Sequence, residues 1–263
     1  MPKYTLITGG TNGLGFEFAK LYAKDHNNIL IIGRNQEKID QKIKELKTEF
    51  QDVDIIGFKA NLVNIEECKK VYEFTKNKDL FINNLVNAAG FGDCTDFKDM
   101  DIDLQIELNH VNVDAVLYFT NVYIKEMLKQ NEGHIINVSS IAAFFPGPYM
   151  TTYHASKAYV LNLGEAIAEE IKKTNVKILT LCPGPFESGF VEKAHNDYTF
   201  SKIKPITAKE VAQYGYKMSL KGKRMKIVGF KNKITCFLPR FFSRKFMALM
   251  SQKNLKDLKK WAK

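Results

Sequence analysis

Short apolar runs alternate with longer amphipathic stretches along the first 180 residues of this 263-residue chain. The short runs, rich in isoleucine, valine and leucine, predict six buried strands at Tyr4–Thr8, Ile29–Ile32, Val53–Phe58, Leu85–Ala88, His134–Ser139 and Val176–Leu181. Apolar residues at three- and four-residue spacing predict helices near 14–25, 36–50, 64–77, 102–130 and 152–174. Strands that alternate with such helices indicate a parallel sheet covered on both faces, so we expect a doubly wound α/β fold.

The pattern is less regular after residue 185. Helices are predicted over Ser188–Ala194 and Ala208–Leu220, and a final strand over Lys226–Gly229. From Phe237 onward the chain is basic, rich in phenylalanine and predicted to be helical. We therefore divide the chain into one domain over residues 1–232 and a basic helical extension over residues 233–263.

Composition places the chain among ordinary globular proteins. Hydrophobic residues make up 45% and charged residues 26%, which excludes a disordered chain. No run approaches the roughly 20 apolar residues of a membrane span, and we expect no signal peptide. The four cysteines are scattered without metal-ligand spacing, so we expect no metal site and reduced thiols in a cytoplasmic protein. The five histidines are expected in surface or capping roles.

The net charge of +10 is concentrated in the last quarter of the chain. Residues 202–263 hold 18 Lys and Arg but two acids, a net +16, whereas residues 1–201 carry −6. Phenylalanines among these basic residues form an amphipathic segment that docks on its own domain or a second subunit, or lies on an anionic membrane. An acidic acyl carrier or CoA-type substrate is a further alternative. No nucleic-acid-binding motif accompanies the charge, so nucleic acid is not expected as a partner.

A glycine-rich turn follows the first strand and opens a helix, with the sequence Thr8-Gly9-Gly10-Thr11-Asn12-Gly13-Leu14-Gly15. A doubly wound sheet binds a dinucleotide pyrophosphate at this point, because the helix N-terminus offers free N–H groups to the anion. Gly9 permits the tight exit from the strand, Gly13 leaves no Cβ between backbone and phosphate, and Gly15 permits close packing of the helix. The turn therefore predicts a nucleotide site with TGxxxGxG spacing.

Tyr153 and Lys157 are four residues apart at the start of a predicted helix, so they share one face. A free tyrosine, with a pKa of about 10, is a poor base near neutral pH. A neighbouring ammonium lowers that pKa and brings the phenol toward the range useful for acid–base chemistry. Ser140 follows a predicted strand, at the edge of the sheet where ligands bind.

Three motifs together carry a resemblance to a known family. TGxxxGxG, Asn87-Ala88-Ala89-Gly90 after the fourth strand, and Tyr153-His154-Ala155-Ser156-Lys157 resemble, in order and spacing, the short-chain dehydrogenase/reductase family over about residues 3–190. The resemblance implies a Rossmann-type fold and a homodimer or homotetramer.

The resemblance also assigns catalytic roles. Tyr153 would protonate the carbonyl oxygen, Lys157 would lower the tyrosine pKa and bind the nicotinamide ribose, and Ser140 would orient the substrate oxygen. Ser140 is preferred to Ser139 because its thirteen-residue spacing to Tyr153 matches the family. Asn112 matches the fourth catalytic residue, which anchors a proton-relay water, with Asn109 as its rival.

The cofactor is expected to be NADP(H), with NAD(H) as the alternative. The second strand ends at Gly33-Arg34, where an NAD site usually carries an acid and where an arginine suits a 2′-phosphate. By resemblance, the remaining cofactor contacts are the glycine turn (Gly9, Thr11, Asn12, Gly13, Leu14 and Gly15), Asn61 and Leu62 beside the adenine, Asn87, Ala88 and Gly90 at its ribose, and Pro183, Gly184, Phe186 and Ser188 near the nicotinamide.

The substrate pocket implied by the resemblance is apolar and aromatic. Besides Ser140, it comprises Ala142, Phe145, Tyr149 and, in the lid, Phe190. These residues indicate a hydrophobic carbonyl substrate, although core packing or a subunit contact would also explain the phenylalanines. We therefore expect an NADP(H)-dependent reductase. The alternative is a nucleotide-binding regulator or membrane-surface adaptor that keeps the fold without turnover.

Overall fold

The computed structural model describes residues 1–187 and 206–259. Its strands are β1 (Lys3–Thr8), β2 (Asn28–Gly33), β3 (Ile55–Lys59), β4 (Phe81–Asn87), β5 (Gly133–Val138), β6 (Val176–Cys182), β7 (Phe186–Glu187), β8 (Ile206–Thr207) and β9 (Met225–Ile227). Seven of them form a parallel sheet in the order β3-β2-β1-β4-β5-β6-β9, and β7 pairs with β8. The predicted doubly wound α/β fold is confirmed.

Helices cover both faces of this sheet. They are α1 (Gly13–Lys24), α2 (Gln36–Glu49), α3 (Ile65–Asn77), α4 (Ile102–Asn109), α5 (Ala115–Gln130), α6 (Thr151–Glu170), α7 (Ala208–Leu220), α8 (Phe230–Phe237) and α9 (Arg244–Lys259). Successive strand residues point to opposite faces. Leu6 thus joins a core with Phe119 of α5, and Ile7 joins a second core with Phe18 of α1. The sheet is therefore buried on both sides.

The helix predicted over 102–130 is interrupted. A π-helical turn at His110–Asp114 separates α4 from α5, and Asn112 is fully buried within this turn. The amphipathic pattern continues across the interruption, which is why the sequence predicted one helix. Such π turns are frequent at functional sites because they redirect a side chain.

The expected domain boundary at residue 233 falls within helix α8, Phe230–Phe237. The last sheet strand is Met225–Ile227 rather than Lys226–Gly229, and α8 starts at Phe230. A 3-10 turn at Leu238–Arg240, which contains Pro239, separates α8 from α9. The helix predicted over Ser188–Ala194 lies outside the described residues.

Three chemical features of the described chain bear on function. All four cysteines are free thiols. Within residues 1–187 and 206–259, no group of three or more His, Cys, Asp or Glu could hold a metal ion. None of the helices formed by the described residues combines the length and apolarity needed to cross a bilayer.

Candidate active site

The glycine turn is packed so closely that side chains would not fit. Gly9 has a φ of 68°, and a Cβ there would lie 3.0 Å from the backbone of Ala89. A Cβ on Gly15 would overlap the carbonyl oxygen of Gly9. Gly13 also has a positive φ, of 46°, which favours glycine. The N-terminus of α1 therefore comes close to the end of β1 with its first N–H groups available to an anion.

The other predicted residues of this turn contribute in different ways. Thr11 is partly exposed and Asn12 is exposed, and the Asn12 side chain makes no capping hydrogen bond to α1. The side chain of Leu14 is buried in the core, so only its backbone can face a ligand.

Thr8 connects this turn to the loop after β4. Its buried hydroxyl accepts hydrogen bonds from the N–H groups of Ala88 and Ala89, both at 3.1 Å. Sequence reasoning missed this positioning role, although the threonine that begins the TGxxxGxG motif was the available signal.

The side chain of Asn87, which was predicted to lie at the adenine ribose, is directed into the core. Its amide nitrogen donates to Asn137 at 2.8 Å and to Thr120 at 3.2 Å, inside the core between β4, β5 and α5. Only the backbone of Asn87 lies at the strand end, whereas Ala88 is partly exposed and Gly90 is exposed.

Ser140, Tyr153 and Lys157 converge at the carboxyl end of β5. The hydroxyl of Ser140 accepts a hydrogen bond from the Ala142 N–H at 3.1 Å and is also hydrogen-bonded to the Tyr153 phenol. The Lys157 ammonium donates to the Val138 carbonyl at 3.0 Å and lies 5.8 Å from the centre of the Tyr153 ring. The three side chains that the motif predicted are therefore neighbours.

Ser139, the alternative to Ser140, has a different task. Its hydroxyl donates to the carbonyl oxygen of Lys157 at 2.7 Å and is buried. It joins the end of β5 to the backbone of α6, and its hydroxyl is not the one bonded to the Tyr153 phenol.

Burial controls the protonation of both titratable groups. It raises the pKa of Tyr153 to about 12, and the hydrogen bond with Ser140 opposes that rise. Burial also lowers the pKa of Lys157 to about 8, against a small opposing effect of Cys182. The pKa of Tyr153 is therefore raised rather than lowered as expected, because desolvation of the phenolate outweighs the hydrogen bond with Ser140.

Asn112 connects the π turn to α6 and to the loop after β4. Its side-chain oxygen accepts from the Phe91 N–H at 3.1 Å, and its nitrogen donates to the Phe91 carbonyl at 2.9 Å and to Ser156 at 3.1 Å. A Cβ on Gly90 would lie 2.9 Å from the Asn112 oxygen and 3.4 Å from the Lys157 ammonium. The rival Asn109 is exposed and outside this cluster.

The residues predicted to contact the adenosine half of the cofactor lie at the ends of β2 and β3. Arg34 is exposed and has no ion-pair partner among residues 1–187 and 206–259. Asn61 is exposed, and its side-chain oxygen accepts from the Val63 N–H at 3.4 Å. Leu62 is buried in the core, so only its backbone is available there.

The segment after β6 lies beside Ser140. The Pro183 carbonyl accepts from the Ile141 N–H at 2.9 Å, and Gly184 is in close contact with the side chain of Asn232. The ring of Phe186 is partly buried and packs against the core formed with α1. Ser188 and Phe190 lie outside the described residues.

The substrate-side residues follow Ser140. Ala142 is buried, and Phe145 and Tyr149 are partly exposed. Tyr149 has a φ of 71°, uncommon for a residue with a side chain, and its phenol accepts a hydrogen bond from Gln252 of α9 at 3.3 Å. The C-terminal helix thus reaches the predicted substrate pocket, a contact with no sequence signal.

His154, expected in a surface or capping role, is buried next to Tyr153. Its Nδ1 donates to the Phe145 carbonyl at 2.9 Å, and burial lowers its pKa. The neutral imidazole fixes the loop after Ser140 onto α6. The signal available in the sequence was its position inside the Tyr153–Lys157 motif.

Comparison with known proteins identifies the family of the chain. The family model for short chain dehydrogenases matches residues 3–199, and the chain belongs to that family of oxidoreductases. It is 30% identical over 182 residues to an uncharacterized oxidoreductase of Bacillus subtilis (strain 168), YvaG, which covers 69% of this chain and 67% of the relative.

Two solved structures share the fold at low sequence identity. A short-chain dehydrogenase from Sphingobium yanoikuyae in complex with NADPH has a TM-score of 0.79 at 20% identity, covering 98% of this chain and 96% of that one. A short chain dehydrogenase/reductase from Burkholderia phymatum in complex with NAD has a TM-score of 0.80 at 20% identity, covering 91% and 93%. The fold of this chain is therefore shared by one protein solved with NADPH and another solved with NAD.

Proposed function

We propose that the protein is an NADP(H)-dependent oxidoreductase that transfers a hydride between the nicotinamide and a hydrophobic carbonyl or alcohol substrate. The observation that carries this proposal is the convergence of Ser140, Tyr153 and Lys157 beside the glycine turn. Burying a lysine ammonium and a phenol carries a desolvation penalty. A nucleotide-binding regulator would gain nothing from that penalty, which is why we favour an enzyme.

The residues at the end of the sheet fit a dinucleotide. The crowded turn at Gly9 and Gly15 would hold the pyrophosphate on the N-terminus of α1. Gly90, where a Cβ would crowd Asn112 and Lys157, would leave room for the ribose that Lys157 contacts. The bound nicotinamide would supply the hydride, which no protein side chain can provide.

Tyr153 is suited to donate a proton to the carbonyl oxygen. With a pKa of about 12 it is protonated at neutral pH. Ser140, already bonded to the phenol, would hydrogen-bond the same oxygen and hold it in line with the proton. Lys157, with a pKa of about 8, carries most of its positive charge at neutral pH and would stabilise the phenolate left after transfer.

Asn112 would act through its neighbours. It fixes Phe91 and Ser156, and the Ser156 hydroxyl donates to the Tyr153 carbonyl at 2.8 Å. Asn112 therefore positions the turn of α6 that carries the phenol. The water-anchoring role implied by the family stays a proposal.

Arg34 supports a preference for NADP(H). The side chain is exposed and has no carboxylate partner in the described chain, so its charge is available to a 2′-phosphate.

We also propose a cytoplasmic homodimer or homotetramer. Ile106, Leu117 and Tyr159 are exposed apolar side chains on α4, α5 and α6, and subunit contact would bury them. The free thiols are compatible with a reducing compartment.

The test is a fluorescence titration of the purified protein with NADPH and NADH, followed by turnover on a panel of hydrophobic ketones and aldehydes. We expect tighter binding of NADPH and oxidation of NADPH by at least one carbonyl. NADPH binding without turnover across the panel would favour the regulator alternative, and absence of binding would contradict the nucleotide site itself.

A further inference from the structure

Residues 230–253, which we call the C-terminal face, expose an unusual amount of apolar surface. On α8, Phe230, Ile234 and Phe237 follow one another at helical spacing, and Phe230 is 76% exposed. In the turn that follows, Phe241 is 71% exposed and Phe242 is also exposed. Contiguous exposed apolar surface marks an interaction site.

The same segment is held on the domain by its opposite side. Cys236 of α8 and Met247 and Ser251 of α9 are buried. Phe246 of α9 points outward, and its ring stacks on that of Phe242 with 4.8 Å between centres. The segment is therefore docked on its own domain through one side. That docking does not account for the exposed rings on its other side.

The charge of the C-terminal face indicates which kind of surface it binds. The segment contains six Lys and Arg and no Asp or Glu. All six are exposed, and none has an ion-pair partner among the described residues. Two copies of such a face would repel each other. Aromatic rings flanked by basic side chains match the interface of an anionic bilayer, where rings insert and cations meet lipid headgroups.

The C-terminal face is next to the candidate active site. Helix α8 contacts the turn Ile141–Phe144 that follows Ser140. Asn232 abuts Gly184, and Gln252 donates to the Tyr149 phenol. A surface that binds this face would therefore lie at the substrate side of the protein.

We propose that the C-terminal face docks on membrane surfaces rich in anionic lipid and that the carbonyl substrate reaches the site from the lipid. The docking stands independently of the reaction. The lipid origin of the substrate rests on the proposed reductase function.

Flotation with vesicles tests the docking. The full-length protein is mixed with vesicles of phosphatidylcholine alone or with 30 mol% phosphatidylglycerol, an amount chosen for the assay. We expect flotation only with the anionic vesicles, weakened by added salt. Phe241→Ala/Phe242→Ala should weaken binding more than about tenfold, since buried aromatic area is lost. The matched control Phe97→Ala removes a ring that is 75% exposed outside the face and should bind like wild type.

The charge contribution is tested separately. Arg240→Gln/Arg244→Gln/Lys245→Gln should also weaken binding more than about tenfold, because each lost cation removes an attraction to the anionic headgroups. A control with the same charge loss, at Lys24, Lys44 and Lys47, should change it little. Equal losses in both triple variants, or no flotation of wild type, would overturn the docking proposal.

A second copy of the chain is the competing occupant. Light scattering should give wild type and the Phe241/Phe242 variant the same oligomeric state. A variant that changes oligomeric state, with wild type not floating, would assign the face to a subunit contact and overturn the proposal.

The lipid route is tested by kinetics. Anionic vesicles should lower the KM of wild type for a long-chain ketone but not for a short water-soluble one, and the Phe241/Phe242 variant should lose that effect. An unchanged KM would overturn the lipid route alone. Loss of all turnover would instead count against the reductase function and leave the flotation result standing.

Discussion

The carboxyl end of the sheet and the C-terminal face lie side by side, yet polar groups are buried at the first and apolar groups are exposed at the second. Near Ser140, charged and polar groups such as Lys157 and Asn112 are buried and paired with named partners. On the C-terminal face, apolar rings are exposed and six cations have no ion-pair partner in the described chain. The proposed reaction explains why polar groups are buried in the first region. The exposed rings and cations of the second region instead indicate binding to a surface outside the molecule.

The largest effect is expected from a substitution that removes the proposed proton donor and leaves the packing of the buried region intact. Tyr153→Phe should reduce turnover by about 10³-fold or more, because the proton donor is removed, and should leave the Kd for NADPH nearly unchanged. Tyr159→Phe, on the exposed side of the same helix, is the matched control. Substantial residual turnover in the Tyr153 variant would contradict the assigned role.

The buried lysine should also appear in the pH dependence of stability. Because the native pKa of Lys157 is about 8, the native state releases this proton at lower pH than the unfolded chain. The free energy of unfolding should therefore rise between about pH 8 and 10 by about 2 to 3 kcal/mol more in wild type than in Lys157→Met. The measurement is urea denaturation of both proteins across that range. Identical slopes would mean that Lys157 is not buried as a cation.

The glycine turn gives a sterically defined test. In Gly15→Ala the new methyl group would overlap the Gly9 carbonyl, so α1 must move away from β1. We expect NADPH and NADH to bind about 10- to 100-fold more weakly, with the fold retained. Titration together with circular dichroism measures both quantities. Unchanged affinity for NADPH and NADH would contradict binding of the cofactor at the glycine turn.

The smallest expected effect concerns the preference for NADPH over NADH. Arg34→Ala should weaken NADPH binding about tenfold and NADH binding little, since only NADPH offers a 2′-phosphate. Lys38→Ala, another exposed cation near the end of β2, is the control. Equal losses of affinity for NADPH and NADH in Arg34→Ala would contradict a contact between Arg34 and the 2′-phosphate.

The fold was accessible from sequence where the signal is local and repeated. Buried strands such as Ile29–Ile32 are continuous apolar runs, and the glycine turn occupies the predicted position between β1 and α1. The short strands β7 and β8 were missed, because two residues leave no periodic pattern.

Features set by tertiary contacts were not accessible. In the π turn, Asn112 donates hydrogen bonds to Phe91 and Ser156, residues 21 and 44 positions away. The inward direction of Asn87 depends on Asn137. The raised pKa of Tyr153 depends on burial, which the spacing to Lys157 does not reveal.

Hydride transfer from labelled cofactor tests the central claim most directly. Wild-type protein is incubated with NADPH deuterated at both positions of nicotinamide C4 and with a panel of hydrophobic ketones and aldehydes. We predict one deuterium on the carbinol carbon of the product alcohol with wild type, and none with Tyr153→Phe under the same conditions. Tight binding of the labelled cofactor without deuterium transfer to any carbonyl would contradict the reductase assignment.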